Sequence, residues 1–198
     1  MVKYLYLFVF ILSNYLYAQN IDIYILKYIN QHRSHKLDPF MLDVSASVNY
    51  VSIGTTTCLF INALVKKDSL NYKRFTSQLG SLFISTVITT SLKHLVRRER
   101  PFVTYPYLEH SGPAGSFSFP SGHTSMAFAT ATSLSLEYKK WYVCVPAYTF
   151  ASVIAYSRLH LGVHYPSDVV MGGIVGVGSA YVSYKLNQLL YKRLKSKK

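Results

Sequence analysis

Apolar segments recur along this chain at intervals, and each ends on lysines, arginines or turn-forming residues. The clear ones occupy residues 44–65, 79–96, 124–136, 142–156 and 169–186. Helix-length apolar runs that return this regularly predict an all-α fold, a multispan transmembrane bundle of about five membrane helices. Ahead of them, residues 1–18 carry a basic start (Lys3), an apolar run from Leu5 to Leu12 and a small residue, Ala18. That order is the grammar of a signal peptide cleaved after Ala18, and the competing reading is an uncleaved first span. The remainder, 19–198, reads as one domain.

Between the leader and the first span, Ile21, Ile25, Tyr28 and Ile29 fall on one helical face, with Asp22, Asn30 and Gln31 elsewhere. This pattern predicts an amphipathic helix lying in the membrane interface. Leu37-Asp38-Pro39 then breaks the chain. In the last span Gly172, Gly176 and Ala180 recur every four residues, a small-residue stripe for close helix packing that carries no chemistry.

Composition sharpens this picture. Half of the residues are apolar and only 15% are charged, against roughly 25% in an average soluble domain. The net charge of +13 would suit a nucleic-acid binder, but the basic residues are clustered between the apolar segments. Lys66-Lys67, Lys73-Arg74, Lys139-Lys140 and the tail from Lys192 all fall on one side of an alternating topology, the side that positive charge marks as cytoplasmic. A membrane protein with no nucleic-acid partner follows. Arg97, Arg98 and Arg100 break the rule by falling outside, which points to an anion there. The two cysteines, Cys58 and Cys144, lie in apolar segments without metal-ligand spacing and read as buried, inert thiols.

Three polar stretches gather on the outer side. Lys93 and Arg100 stand seven residues apart, two turns on one helical face, with Arg97 beside them and Pro101 ending the helix. By itself this is also a basic patch for lipid headgroups. Pro120-Ser121-Gly122-His123 opens the next helix, with Ser121 at the N-cap and Gly122 admitting close approach of a ligand to the backbone. Helix starts of this kind bind phosphate-like anions, although Ser-Gly also marks ordinary loop-to-helix junctions. Ser157 to Asp168 places Arg158, His164 and Asp168 within twelve residues. An imidazole there can attack or carry a proton while the carboxylate fixes its tautomer. Together these stretches supply cations, a helix N-terminus, two histidines and a carboxylate, the inventory of phosphoryl transfer without a dedicated metal cage.

Lys93, six residues, Arg100-Pro101; then Pro120-Ser121-Gly122-His123; then Ser157-Arg158, five residues, His164, three residues, Asp168: in order and spacing the chain resembles the type 2 phosphatidic acid phosphatase (PAP2) family. That superfamily also holds the bacterial class A acid phosphatases and the vanadium haloperoxidases, and the flanking spans resemble its membrane-bound branch. One departure is the signal-like segment in place of a full first span. The resemblance implies that His164 is the nucleophile and forms a phosphohistidine, that Asp168 orients it, and that His123 protonates the leaving oxygen. It further implies that Lys93, Arg100, Arg158, Ser121 and the Gly122 backbone hold the phosphoryl group, with no metal and no cofactor. His94 and His160 match no catalytic position and read as packing or surface residues; Arg97 and Arg98 are open as headgroup contacts.

The expected activity is a metal-independent lipid phosphatase at the outer face of the cytoplasmic membrane. Its substrate would be a phosphatidate, phosphatidylglycerophosphate, polyprenyl diphosphate or lipid A phosphate. A vanadate-dependent haloperoxidase and a non-catalytic lipid scaffold or transporter are the competing classes. Selectivity among headgroups is expected to reside in the loop 102–119 and the inter-helix grooves, and nothing in the pattern sets the oligomeric state.

Overall fold

The computed structural model describes residues 21–196, all of whose regular elements are helical. The expected signal peptide, 1–18, lies outside the described residues. Helix α1 covers 21–32, and a single 3₁₀ turn, His35–Leu37, leads into α2, Asp38–Lys66. Then follow α3 (Ser69–Val96), the one-turn α4 (Pro101–Thr104), α5 (Gly122–Tyr138), α6 (Trp141–His160) and α7 (Pro166–Ser196). Leu37-Asp38-Pro39 does mark a break, but the span after it starts at Asp38, because aspartate and proline suit a first helical turn.

Among the described residues three segments are long and apolar enough to cross a membrane, His35–Lys66, Ser69–Thr104 and Pro166–Arg193. Helices α5 and α6 complete the bundle. Helix α5 is shorter, with 17 residues, and faces protein on most sides. It packs against α2, α3, α6 and α7, and its buried residues are all small: Thr124, Ser125, Ala127, Ala129, Thr130, Ala131, Thr132 and Ser133. Small side chains let the surrounding backbones come close, and the hydroxyls supply bonds that lipid cannot. Ser125 bonds to Ser85 and Thr89, Thr130 donates to Ser52 at 2.9 Å, and Gln78 reaches Thr130 at 3.3 Å. Each such bond between helices contributes on the order of 0.6–2 kcal/mol.

The stripe expected on the last helix is this packing seam. A Cβ on Gly176 would lie 2.4 Å from the Ser125 carbonyl oxygen, and one on Gly172 would lie 2.6 Å from that of Ser121. Helix α7 therefore rides directly on the backbone of α5 and brings Asp168 to the start of that helix, where Ser121 N–H donates to the Asp168 carbonyl at 3.0 Å.

Two local readings are corrected, those of α3 and of the cysteines, and that of α1 is extended. Helix α3 ends at Val96, with Arg97 in the left-handed region (φ 52°) and its N–H returned to the Lys93 carbonyl. Lys93 and Arg100 therefore do not share a helical face; Arg100 is extended, as a residue before proline prefers. Helix α1 is not free on its polar side. It buries Asp22, Leu26 and Asn30 against the protein, with Leu26 packed on Leu108 and Tyr165, and leaves Ile21, Tyr24, Ile25 and Tyr28 outward. Cys58 is exposed and Cys144 only half-buried, because apolar positions on lipid-facing helices need not point inward.

Candidate active site

The ends of α3, α5, α6 and α7 meet at one end of the bundle, opposite the Lys66-Lys67 and Lys139-Lys140 connections. The turn 161–165 is the keystone of that end. Gly162 has φ 69°, and a Cβ there would stand 2.4 Å from the Glu109 carbonyl oxygen, so the turn closes on the outer loop with no room for a side chain. It carries His164, which is fully buried together with Leu161 and Val163.

His164 Nδ1 lies 3.4 Å from Asp168 Oδ2, four residues on, and Nε2 lies 3.3 Å from Arg100 Nη1. A guanidinium only donates, so Nε2 is the unprotonated nitrogen and Nδ1 carries the proton towards Asp168. Burial pushes the His164 pKa down to about 3 against the opposing hydrogen bond and charge of Asp168, and the positive charges of Arg158 and Arg100 add to the fall. The ring is therefore a neutral imidazole with its lone pair on Nε2, which is the form a nucleophile needs.

Asp168 is wholly buried. Its Oδ2 also accepts the Tyr165 N–H at 2.9 Å and the Ser118 hydroxyl, and its Oδ1 accepts Arg98 Nη1 at 2.8 Å. Two of the cations are held by backbone carbonyls and a third by a hydroxyl. Arg100 Nε donates to Ser116 O at 2.9 Å and Nη1 to Val163 O at 2.8 Å; Lys93 Nζ donates to Phe117 O at 2.5 Å. Arg158, in the last turn of α6, donates to the Ser45 hydroxyl of α2. Such partners fix each head group without neutralising its charge, so the positive field remains available for an anion.

His123 sits in the first turn of α5, half-buried, and shares a cleft of about 260 Å³ with Lys93, Asn49, Thr86, Thr90 and Met126. The residues read from the sequence as one site are thus brought together: Lys93, Arg100, Ser121, Gly122, His123, Arg158, His164 and Asp168. Ser121 stands at the N-cap, but its hydroxyl pairs with that of Thr124 at 2.9 Å, and no capping bond to the backbone forms. Arg97 is exposed and turns back to the His94 carbonyl, away from the site. His160 bonds to Asp38 at 2.9 Å as a packing residue. The pattern missed Ser118, Ser45 and Asp22. The two serines carry no motif, and Asp22 lies far away in sequence on a helix read as interfacial. Among the described residues no cluster of three or more His, Cys, Asp or Glu is placed to hold a metal ion.

Residues 74–192, which include every residue of this constellation from Lys93 to Asp168, match the PAP2 superfamily. The chain belongs to that superfamily. It is a PAP2-type phosphatase. A lipid A 4'-phosphatase of Bacteroides thetaiotaomicron is 27% identical, over 91% of this chain and 83% of that one. An undecaprenyl-diphosphatase of Sulfolobus acidocaldarius is 32% identical, over 85% of this chain and 80% of its own length. Among solved structures, LpxE of Aquifex aeolicus superposes with a TM-score of 0.74 at 28% identity, covering 83% of this chain and 95% of that one. A PAP2-type phosphatidylglycerolphosphate phosphatase from Bacillus subtilis, 21% identical, shares the fold with a TM-score of 0.73 over 93% of this chain and 94% of that one. The protein is a multi-pass, all-helical membrane phosphatase.

Proposed function

We propose that this PAP2-type lipid phosphatase hydrolyses phosphate esters or diphosphates of lipids through a phosphohistidine on His164, at the outer face of the cytoplasmic membrane. The observation that carries the reading is the pairing of His164: Nδ1–H on Asp168 and the Nε2 lone pair directed at Arg100. Nε2 attacks phosphorus, the bond to the lipid oxygen breaks, and His123 gives that oxygen its proton. Water then attacks the phosphohistidine, His123 takes the water's proton, and orthophosphate leaves. Lys93, Arg100 and Arg158 spread positive charge over the phosphoryl oxygens as they gain negative charge, the work a metal does elsewhere. Ser121 and the Gly122 backbone complete the cradle at the start of α5.

The lipid nature of the substrate is supported by the cleft at His123 and Lys93. It runs down α3 past Thr90 and Thr86 to Ser85, into the membrane-spanning part of that helix, so a substrate need not leave the bilayer to reach the site. The outer placement is supported by reading α2, α3, α5, α6 and α7 as five spans with the lysine-rich connections inside. The relatives act on lipid A and on undecaprenyl diphosphate by name, and those two headgroup classes head the substrates to try.

The test is phosphate release by purified protein from lipid A, undecaprenyl diphosphate, phosphatidate and phosphatidylglycerophosphate, with chelator present. Rapid quenching should trap an acid-labile phosphoenzyme that His164→Ala does not form. Activity lost in chelator and restored by magnesium, or turnover without a phosphoenzyme, overturns the mechanism. A reporter fused at Glu109 that reads as cytoplasmic overturns the placement.

A further inference from the structure

Arg98 stands two residues before the phosphate-site Arg100, on the outer side, where a headgroup contact was an open reading. Its guanidinium is committed elsewhere. Nη1 donates to Asp168 Oδ1 at 2.8 Å and to the Ser167 hydroxyl at 2.7 Å, while Nη2 donates to Asp22 Oδ2 at 2.8 Å. The guanidinium carbon lies 3.8 Å from the centre of the Tyr165 ring. Its backbone contributes as well, since the Arg98 carbonyl accepts the Ser118 N–H at 2.8 Å, and Ser118 in turn donates to Asp168. Asp22 of α1 closes the ring by accepting the Ser167 N–H at 2.8 Å and the Ser167 hydroxyl.

We infer that Arg98, braced by Asp22, is a positioning residue for the His164–Asp168 pair, and that α1 is part of the catalytic support. The inference rests on the proposed role of His164 as nucleophile. A carboxylate four residues from its imidazole can rotate about its last side-chain bond, and its 3.4 Å contact with Nδ1 is too long to set that angle alone. Arg98 fixes one oxygen and Tyr165 N–H with Ser118 fixes the other, so the plane of Asp168 is set and Oδ2 faces the ring.

Charge makes the second half of the argument. As Nε2 bonds to phosphorus the ring becomes electron-poor, and a negative partner on Nδ1–H stabilises it. Arg98 alone would cancel Asp168 and remove that help. Asp22 adds a second negative charge to the same guanidinium, so the group of three keeps one net negative charge beside the ring. Asp22 lies outside the residues that match the superfamily, on a helix that buries few other polar groups.

Single-turnover phosphoenzyme formation by the full-length protein, with p-nitrophenyl phosphate and with a lipid phosphate in mixed micelles, tests this. Arg98→Gln should slow the step about 10- to 100-fold with both substrates, the loss of one charge-assisted hydrogen bond. KM should move less than about threefold, because the group acts through Asp168 and not on substrate. Arg98→Lys should recover part of the rate. Asp22→Asn should fall in the same direction, and the double variant Asp22→Asn, Arg98→Gln should be no slower than Arg98→Gln alone. A rise in KM confined to the lipid substrate would make Arg98 a headgroup contact and overturn the inference. So would fully additive losses, which would make the two residues independent. Should Arg98→Gln fail to fold, Arg98→Lys and Asp22→Asn decide by the same comparison of rate and KM. Activity that survives His164→Ala would instead remove the reading beneath, whatever Arg98 does.

Discussion

Nη1 of Arg100 faces Nε2 of His164 at 3.3 Å, so the cation proposed to hold the phosphoryl group also aims the lone pair proposed to attack it. The same nitrogen is anchored to the Val163 carbonyl, one residue before His164, so the two groups move as a unit. Arg100→Ala should lower the rate of phosphoenzyme formation by about 10²–10³-fold, as the loss of a preorganised donor does. Arg100→Lys should restore little of it, because an ammonium cannot serve Ser116 O, Val163 O and a phosphoryl oxygen through one planar fork. Rapid-quench measurement of the phosphoenzyme checks both.

The two histidines should separate by leaving group. A lipid alcohol departs only with a proton, so His123→Ala should lose most of a general acid's contribution, about 10²–10⁴-fold. A nitrophenolate departs without one, and with p-nitrophenyl phosphate the same variant should keep substantially more single-turnover phosphoenzyme formation. His164→Ala should be inactive with both. Equal losses for the two leaving groups in His123→Ala would make it a phosphate-positioning residue.

Acid should destabilise the fold through His164. Its native pKa is pushed down to about 3 by burial, whereas an unfolded histidine titrates near ~6.5. Between those values the unfolded chain binds a proton that the native one refuses, so stability rises with pH across that window, falls as pH drops through it and levels off below the native pKa. The slope approaches about 1.4 kcal/mol per pH unit from this group. Melting of the detergent-solubilised protein from pH 7 to pH 4 should therefore fall less steeply in His164→Asn than in the wild type. Parallel slopes would show that the native ring accepts the proton.

The α5–α7 seam should tolerate no methyl group. Gly176→Ala places a carbon against backbone on α5, with the Ser125 oxygen at 2.4 Å and the Ala129 nitrogen at 2.8 Å. It should cost about 1–3 kcal/mol as overpacking does, with activity falling because Asp168 rides on the same helix. Gly178, with nothing within 4 Å of its added Cβ, is the control; Gly178→Ala should be neutral or stabilising by about 0.5–1 kcal/mol. Thermal melting and phosphate release on the pair check the contrast.

The fold class, and the set of residues that the fold gathers at one end of the bundle, were legible in the sequence for a simple reason. Lipid forces long apolar helices, and phosphoryl transfer needs rare charged residues at fixed places between them. Lys93, Arg100, His123, Arg158, His164 and Asp168 therefore stand out against an apolar background. What supports them does not stand out. Lys93 and Arg100 rest on the carbonyls of Phe117 and Ser116, and a carbonyl belongs to every residue type. The break at Arg97 was hidden because a left-handed residue at a helix end needs no glycine, so the run to Pro101 read as one helix. Asp22 looked like the wet side of an interfacial helix, since periodicity reports that a face is polar and not what it pairs with.

The loop after α4 is the natural place to look for a change of substrate, being long, polar and outside the bundle. Its two halves are not equivalent. Ser116 O, Phe117 O and the Ser118 hydroxyl hold Arg100, Lys93 and Asp168 in turn. Anyone grafting a relative's loop to redirect this enzyme should cut before Gly115, whose carbonyl also faces Arg100. Upstream, Tyr107 is largely exposed while Glu109 is bonded to Asn30 and Arg33. The interchangeable stretch is thus short, Pro106 and Tyr107 ahead of the buried Leu108, and larger chimeras would trade the reaction for the specificity.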